Sequence, residues 1–452
     1  MNSKPLTLAI TFALLCAAPS LRGQGSLTPP PGPPAPTMKT LQNLWDKLTT
    51  MGTQLDGHSG QLDLLQEEHQ DLTTLINTLK TQTTTLQGQA TALQAENAAI
   101  KAQNEALTNL MLSMGGAAGT LPWTPTNVDA GGTFSQLSFA SGPNGKMALG
   151  FLKNGALRVA IFNGTSWSIS IVPASGTVTC LSVQYNATTG WPAVAYGTAA
   201  SGVKYADYSG SSWTIFNVDN PGGEIRGCSL AMTSSGWPAI AYAVYPVTLK
   251  FALAGDLGWN VTTVRTFSQS ATQVDLAYGP AGQPCILYVN DTISYLSFNG
   301  STWSTESIDS FPSSIASLGF SPAGIPCVAC TGNGTLFFFE RLSSGWQRTI
   351  LDGYQTLADY SAEGCSLTWT PGGRPAIAYH TYVLQSGVQV QKKLKYAVYN
   401  GVGWTTIIAS SEEGVGKYPG LCFDPQGQPV IACTASNESA LRVTRRTPFI
   451  QP

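Results

Sequence analysis

The sequence predicts an all-β seven-bladed propeller preceded by a long α-helical coiled coil. Two observations predict it. The motif Gly-x-Pro-x-aliphatic-x-Tyr/Cys returns every 42–54 residues through the C-terminal three-quarters of the chain. An apolar heptad holds one phase from residue 41 to residue 114.

From the N-terminus, residues 1–25 read as a secretory signal. Lys4 precedes an apolar run, Leu6 to Ala18, too short to span a bilayer. Leu15 stands before Cys16 where a lipoprotein cleavage box wants a small residue. Residues 26–38 form a Pro-rich linker of polyproline character. The expected location is secreted, periplasmic or cell-surface, with no transmembrane segment.

Residues 39–114 read as a coiled-coil stalk. Its first core row is Leu41, Leu48, Leu55, Leu62, His69, Ile76, Thr83, Ala90, Asn97, Asn104 and Met111. Its second is Leu44, Met51, His58, Leu65, Leu72, Leu79, Leu86, Leu93, Ile100, Leu107 and Met114. A stripe this narrow has nothing to bury against within its own helix, so the expected partner is the chain itself, as a dimer or trimer. Apolar Leu75 and Leu110 beside the seam favour three strands, whereas Asn97 and Asn104 in the first row can specify a parallel pair. The alternative is a helical hairpin turning at Gly52, Gly57 and Gly60. His58 and His69 would form polar layers that set register or a pH-sensitive weak point. Residues 115–120 are a Gly/Ala joint.

Residues 121–448 carry the repeat. An apolar run precedes each Gly-x-Pro motif, an alternating run follows it, and a Gly-containing turn leads into Trp and a β-rich run. Period-2 alternation bounded by Gly, Pro and Asn gives four short antiparallel strands per unit. Seven copies of the first three strands are present, but the chain ends before a seventh Trp strand. That strand lies upstream, at Trp123 to Val128, and should complete the last blade.

The pattern resembles the seven-bladed propellers, including WD-repeat proteins in its closure, behind a coiled-coil stalk of bacterial type. The Gly-x-x-Trp turns look like those of sialidase-type Asp-box repeats and of propeller lectins. The resemblance covers residues 121–448 and implies the fold. Asp-box repeats carry Asp where this chain has Asn163, Ser209, Asn299 or Asn400. The arginines do not form the trio a sialidase needs, and the recurring Glu of fucose-type lectins is missing. The function is therefore not carried over with the fold.

A net charge of −2, with 11% charged residues, disfavours nucleic acid, which calls for a basic face. The eight cysteines after the leader fall in repeat slots shared with Ala, Ile and Tyr, which suggests buried thiols, with bridges between blades as the alternative. Cys327 and Cys330 are three apart on a strand and should face opposite ways, so no redox or zinc pair is expected. Three histidines are too few for a protein-made zinc site, and no His/Cys cluster exists. No nucleophile elbow, phosphate loop or EF-hand pattern appears, and adjacent Glu413 and Glu412 cannot flank a glycosidic bond. No catalytic residue, metal ligand or cofactor is assigned.

Arg158, Lys204, Lys250, Lys395 and Arg442 recur at the start of the third strand. They read as solvent-facing charges that discourage edge pairing, with a polyanion-binding ring as the alternative. The second-to-third and blade-to-blade loops vary in length and share one face, where binding is expected. The longest, 352–363, 380–393 and 412–419, hold Tyr354, Asp359, Tyr360, Glu363, His380, Tyr382, Lys392, Lys393, Glu412, Glu413 and Lys417 as candidate ligand-binding residues. The expected function is an exported, oligomeric, stalked recognition protein whose head binds a surface glycan or protein. The alternatives are a glycan hydrolase or lyase using that face, and a structural surface protein.

Overall fold

The computed structural model describes residues 36–114 and 122–446, apart from 187, 247, 268–272, 291, 311–312, 333, 354–359, 386–387, 413 and 436. The leader, most of the Pro-rich linker and the Gly/Ala joint lie outside the described residues.

Helix α1 spans Pro36–Met114 and runs unbroken through Gly52, Gly57 and Gly60, so the hairpin alternative is overturned. Helix propagation across isolated glycines costs only about 1 kcal/mol each. Threonines on α1 are satisfied locally: Thr49, Thr73, Thr83 and others donate their hydroxyls to the carbonyl four residues back. No helix among the described residues is long and apolar enough to cross a membrane.

Apart from turns and a short 3₁₀ helix at Pro143–Gly145, the rest of the described chain is strands. Strand β1 is Trp123–Ala130. Blade 1 holds β2 (Phe134–Ser141), β3 (Met147–Lys153), β4 (Ala156–Phe162) and β5 (Trp167–Ile171). Blade 2 holds β6 (Val178–Asn186), β7 (Trp191–Thr198), β8 (Val203–Tyr208) and β9 (Trp213–Asp219). Blade 3 holds β10 (Ile225–Met232), β11 (Pro238–Val244), β12 (Thr248–Gly255) and β13 (Gly258–Thr266). Blade 4 holds β14 (Gln273–Tyr278), β15 (Pro284–Val289), β16 (Ile293–Phe298) and β17 (Trp303–Asp309). Blade 5 holds β18 (Ser313–Phe320), β19 (Pro326–Gly332), β20 (Thr335–Leu342) and β21 (Gly345–Asp352). Blade 6 holds β22 (Tyr360–Trp369), β23 (Pro375–Gln385), β24 (Val388–Tyr399) and β25 (Trp404–Ser410). Blade 7 holds β26 (Gly420–Phe423), β27 (Pro429–Ala435) and β28 (Ala440–Arg446), and β1 pairs antiparallel with β28 as its fourth strand. The upstream segment thus closes the last blade, and β2 of blade 1 packs beside β26 of blade 7 to complete the ring.

Seven apolar cores lie between neighbouring blades rather than within them. The repeated Trp is an outer rivet of this packing. Trp259 sits edge-on against Tyr205 of the preceding blade at 5.6 Å, Trp303 against Phe251 at 5.6 Å, Trp346 against Tyr295 at 5.5 Å and Trp123 against Tyr396 at 5.7 Å. Each such pair adds about 0.5–1.5 kcal/mol beyond area burial. The glycine of each Gly-x-x-Trp turn has φ near 100°, from 94° to 108°, a conformation open to glycine. Asn163, Asn299 and Asn400 each accept two N–H groups of their own turn, so asparagine closes the turn without an acid.

The channel and its variable-face mouth

The first strands of all seven blades line a central cavity of about 920 Å³. A first strand offers one backbone edge to its own blade and leaves the other towards the axis, so that edge needs partners. Serine supplies them. Ser138 Oγ accepts the N–H of Val183, Ser182 that of Leu230, Ser229 that of Leu276, Ser317 that of Leu367 and Ser366 that of Leu421, at 2.9–3.2 Å. In blade 4 the place belongs to Asp275, whose Oδ2 accepts the N–H of Leu318 at 2.8 Å. In blade 7 it is Gly420, because a Cβ there would stand 2.6 Å from the Cβ of Phe139. A second tier clasps the same way: Gln136 donates to the Thr179 carbonyl, and Gln273 bonds both N–H and carbonyl of Ala316. Six of the seven blades thereby grip the next around the axis.

Arg226 and Asp275 are the two charged residues among those described along the channel. Asp275 accepts from Ser229 Oγ and from its own neighbour Leu276 N–H, both at 3.0 Å. Burial nevertheless dominates and pushes its carboxyl up to about 6. Arg226 stands at the opposite tier, near the N-terminal ends of the first strands, which open onto the variable-loop face. Glu224 holds its Nε at 3.0 Å, and its guanidinium lies 3.9 Å above the exposed ring of Tyr245. Its terminal nitrogens have no partner among the described residues. Glu363 and Lys417 stand three residues before Ser366 and Gly420 in the sequence, as Arg226 does before Ser229, but neither is among the described residues lining the cavity.

The other candidates divide. Tyr354, Asp359 and Glu413 lie outside the described residues, as do the side chains of Tyr360 and Glu363, whose backbones are in β22. Residues 380–385 and 388–393 are not loop. They are the extended ends of β23 and β24, paired as Thr381 with Lys393 and Val383 with Val390. The alternation of Tyr382, Val383 and Leu384 with Val388 and Val390 favours strand over loop. His380 is therefore a strand residue, 0% exposed, opposite Glu363 on one side and Leu394 on the other. Neither ring nitrogen has a partner among the described residues. Burial, then Lys392 and Lys417, depress it to about 4, so the imidazole is neutral. It stacks at 5.8 Å on Tyr382. Lys392 reaches Asn437 at 3.2 Å, Lys417 pairs with Glu438 at 2.6 Å, and Glu412 pairs with Arg442. The patch is thus drawn onto blade 7.

Four of the five basic-column side chains, Lys204, Lys250, Lys395 and Arg442, are paired with neighbours rather than standing free in solvent. Lys250 and the Tyr242 hydroxyl both bind Asp219 of the preceding blade, at 2.6 and 2.5 Å. Lys395 and Tyr379 bind Asp352 in the same way, at 2.6 and 2.5 Å. Arg442 is held by Glu412 and Asn127, and Lys204 by Asn217. Lys250 and Lys395 bridge blades because their acids come from the fourth strand of the blade before. All eight described cysteines are free and buried, and Cys327 and Cys330 fall in different inter-blade cores.

No family model and no curated protein matches this chain. Among solved structures, the β-propeller domain of Myceliophteria thermophila Cps50 (Swd1) is similar at 12% identity and TM-score 0.49, covering 71% of this chain and 99% of its own. A catalytically inactive virginiamycin B lyase from Staphylococcus aureus with quinupristin is similar at 12% identity and TM-score 0.48, covering 72% and 98%. YCF48 bound to a D1 peptide is similar at 14% and 0.48, covering 72% and 96%. These proteins do different things, and at such identities the likeness is one of fold alone. The chain is a seven-bladed β-propeller with a long helix before it.

Proposed function

We propose that this chain is an exported, stalked binding protein whose propeller heads are clustered by self-association of α1. One observation carries the reading. Leu44, Leu48, Leu55, Leu62, Leu65 and Leu72 of the heptad rows are each 52–67% exposed on the single helix. Burying such a seam against copies of itself is worth about 1.5–3 kcal/mol per leucine, so a solitary rod is the costlier state. Clustering converts weak contacts of single heads into avid binding.

The channel mouth on the variable face suits a polar ligand such as a glycan. Its walls offer hydroxyls, amides and strand-edge backbone, with Arg226 as a fixed fork of donors beside an exposed aromatic ring. A glycan array probed with the full chain and with Arg226→Ala tests this. The expected result is selective binding, reduced about tenfold or more by the substitution. Uniformly negative arrays, or binding indifferent to Arg226, contradict it. A hydrolase or lyase is the second reading, favoured by the neutral His380 placed opposite Glu363. Turnover of a bound glycan that vanishes in His380→Ala would establish it.

A further inference from the structure

We infer that the stalk carries divalent transition-metal sites, each built from one histidine of three chains. This rests on the self-association proposed above. One chain's histidines are too few for a metal site, and no described residues of a single chain form one. Self-association changes that count. In a parallel three-stranded coiled coil, every core position is repeated three times around one axis. His69 lies in the first core row and His58 in the second, both exposed on α1. The His69 ring has no hydrogen-bond partner among the described residues, and His58 uses Nδ1 towards Gln61 Oε1 at 3.4 Å, leaving Nε2 open. Leu65 and Leu72 bracket His69, and Leu55 and Leu62 bracket His58.

Three imidazoles enclosed between leucine layers are polar groups without partners, a costly arrangement. A metal ion on the axis resolves it. Three neutral imidazoles form the ligand set of an open zinc site, with water in the fourth position, and they also suit nickel and copper. Exposed Leu75 and Trp45 beside the core rows widen the seam in the sense that favours three strands. Glu68 and Asp71, within a turn of His69, add negative charge near that layer. Gly57 and Gly60 flank His58, so His69 makes the firmer site.

The test uses the full chain stripped with EDTA. Sedimentation equilibrium first gives the chain number, and zinc is then titrated calorimetrically while helix melting is followed by circular dichroism. The expected stoichiometry is one zinc per three chains at each layer. His69→Leu and His58→Leu should each remove one, and the double variant should bind none while remaining trimeric. Zinc should raise helix melting by at least about 5 °C in the native chain and not in the double variant. A trimer that ignores zinc, or zinc uptake unchanged in the double leucine variant, overturns the metal sites and leaves the stalk intact. A dimer overturns the three-histidine site alone. A monomer overturns both this inference and the stalk.

Discussion

Asp275 and His380 depart from their sister positions in opposite electrostatic senses. Asp275 replaces a serine of the inner belt, and burial lifts its carboxyl from the ordinary 3.8 to about 6. The folded state then holds a proton that the unfolded state has released between about pH 4 and 6, so this residue lowers stability as pH rises through that window. His380 stands where sister blades have Thr331 or Thr434, and it is depressed from 6.5 to about 4. The unfolded state binds the extra proton there, so its contribution is complete above about pH 6.5 and is lost as pH falls towards 4. The two slopes oppose one another. Asp275→Ser should make stability rise more steeply from pH 4 to 6.5 than in the native chain, and His380→Thr should make it rise less steeply. The full shift of Asp275 corresponds to at most about 3 kcal/mol, less because it is only half-buried at the channel wall. Denaturant melts across that range decide the matter; parallel curves for all three proteins would contradict both assignments. Asp352→Ala should cost about 2–4 kcal/mol, since it strips the shared acceptor from Tyr379 and Lys395, whereas an unchanged melt would mean the pairing contributes nothing.

At the scale of elements, strand pattern was legible and neighbour identity was not. The Gly-x-Pro and Gly-x-x-Trp punctuation marked the strands, and the missing Trp strand at the C-terminus pointed to Trp123. Polar strand ends misled: His380 to Lys393 contains enough Gln, Lys and Ser to look like a loop, yet Val388, Gln389, Val390 and Gln391 alternate with period two. The basic column was misread because alternation gives a side chain's face within its own blade. It does not reveal Asp219 waiting 31 residues upstream of Lys250, or Asp352 waiting 43 upstream of Lys395. The serine belt left a readable trace that was missed, a serine at one fixed place before the apolar residue in five of the seven first strands. Most side chains of the candidate patch could be nominated by loop length, but only pairing showed that Lys392, Lys417 and Glu412 lean on blade 7. Strand β1 carries the closure. Deleting residues 122–130 uncovers the edge of β28 and empties the seat of Trp123 on Tyr396, and should lower head melting by about 10 °C or more. A deletion variant as heat-stable as the native head would show that closure is dispensable.

For the whole molecule, the rod and the head impose different demands. The head satisfies its own backbone and buries its own cores, so it needs no second copy. The helix exposes its apolar rows from Leu44 to Leu93, which the proposed self-association would cover. Sedimentation equilibrium of the full chain beside residues 122–452 tests this division most directly. A trimer for the full chain with a monomer for the head is the predicted result. A full chain that stays monomeric at micromolar concentration would contradict it, because the seam would then have no partner and the heads no means of acting together.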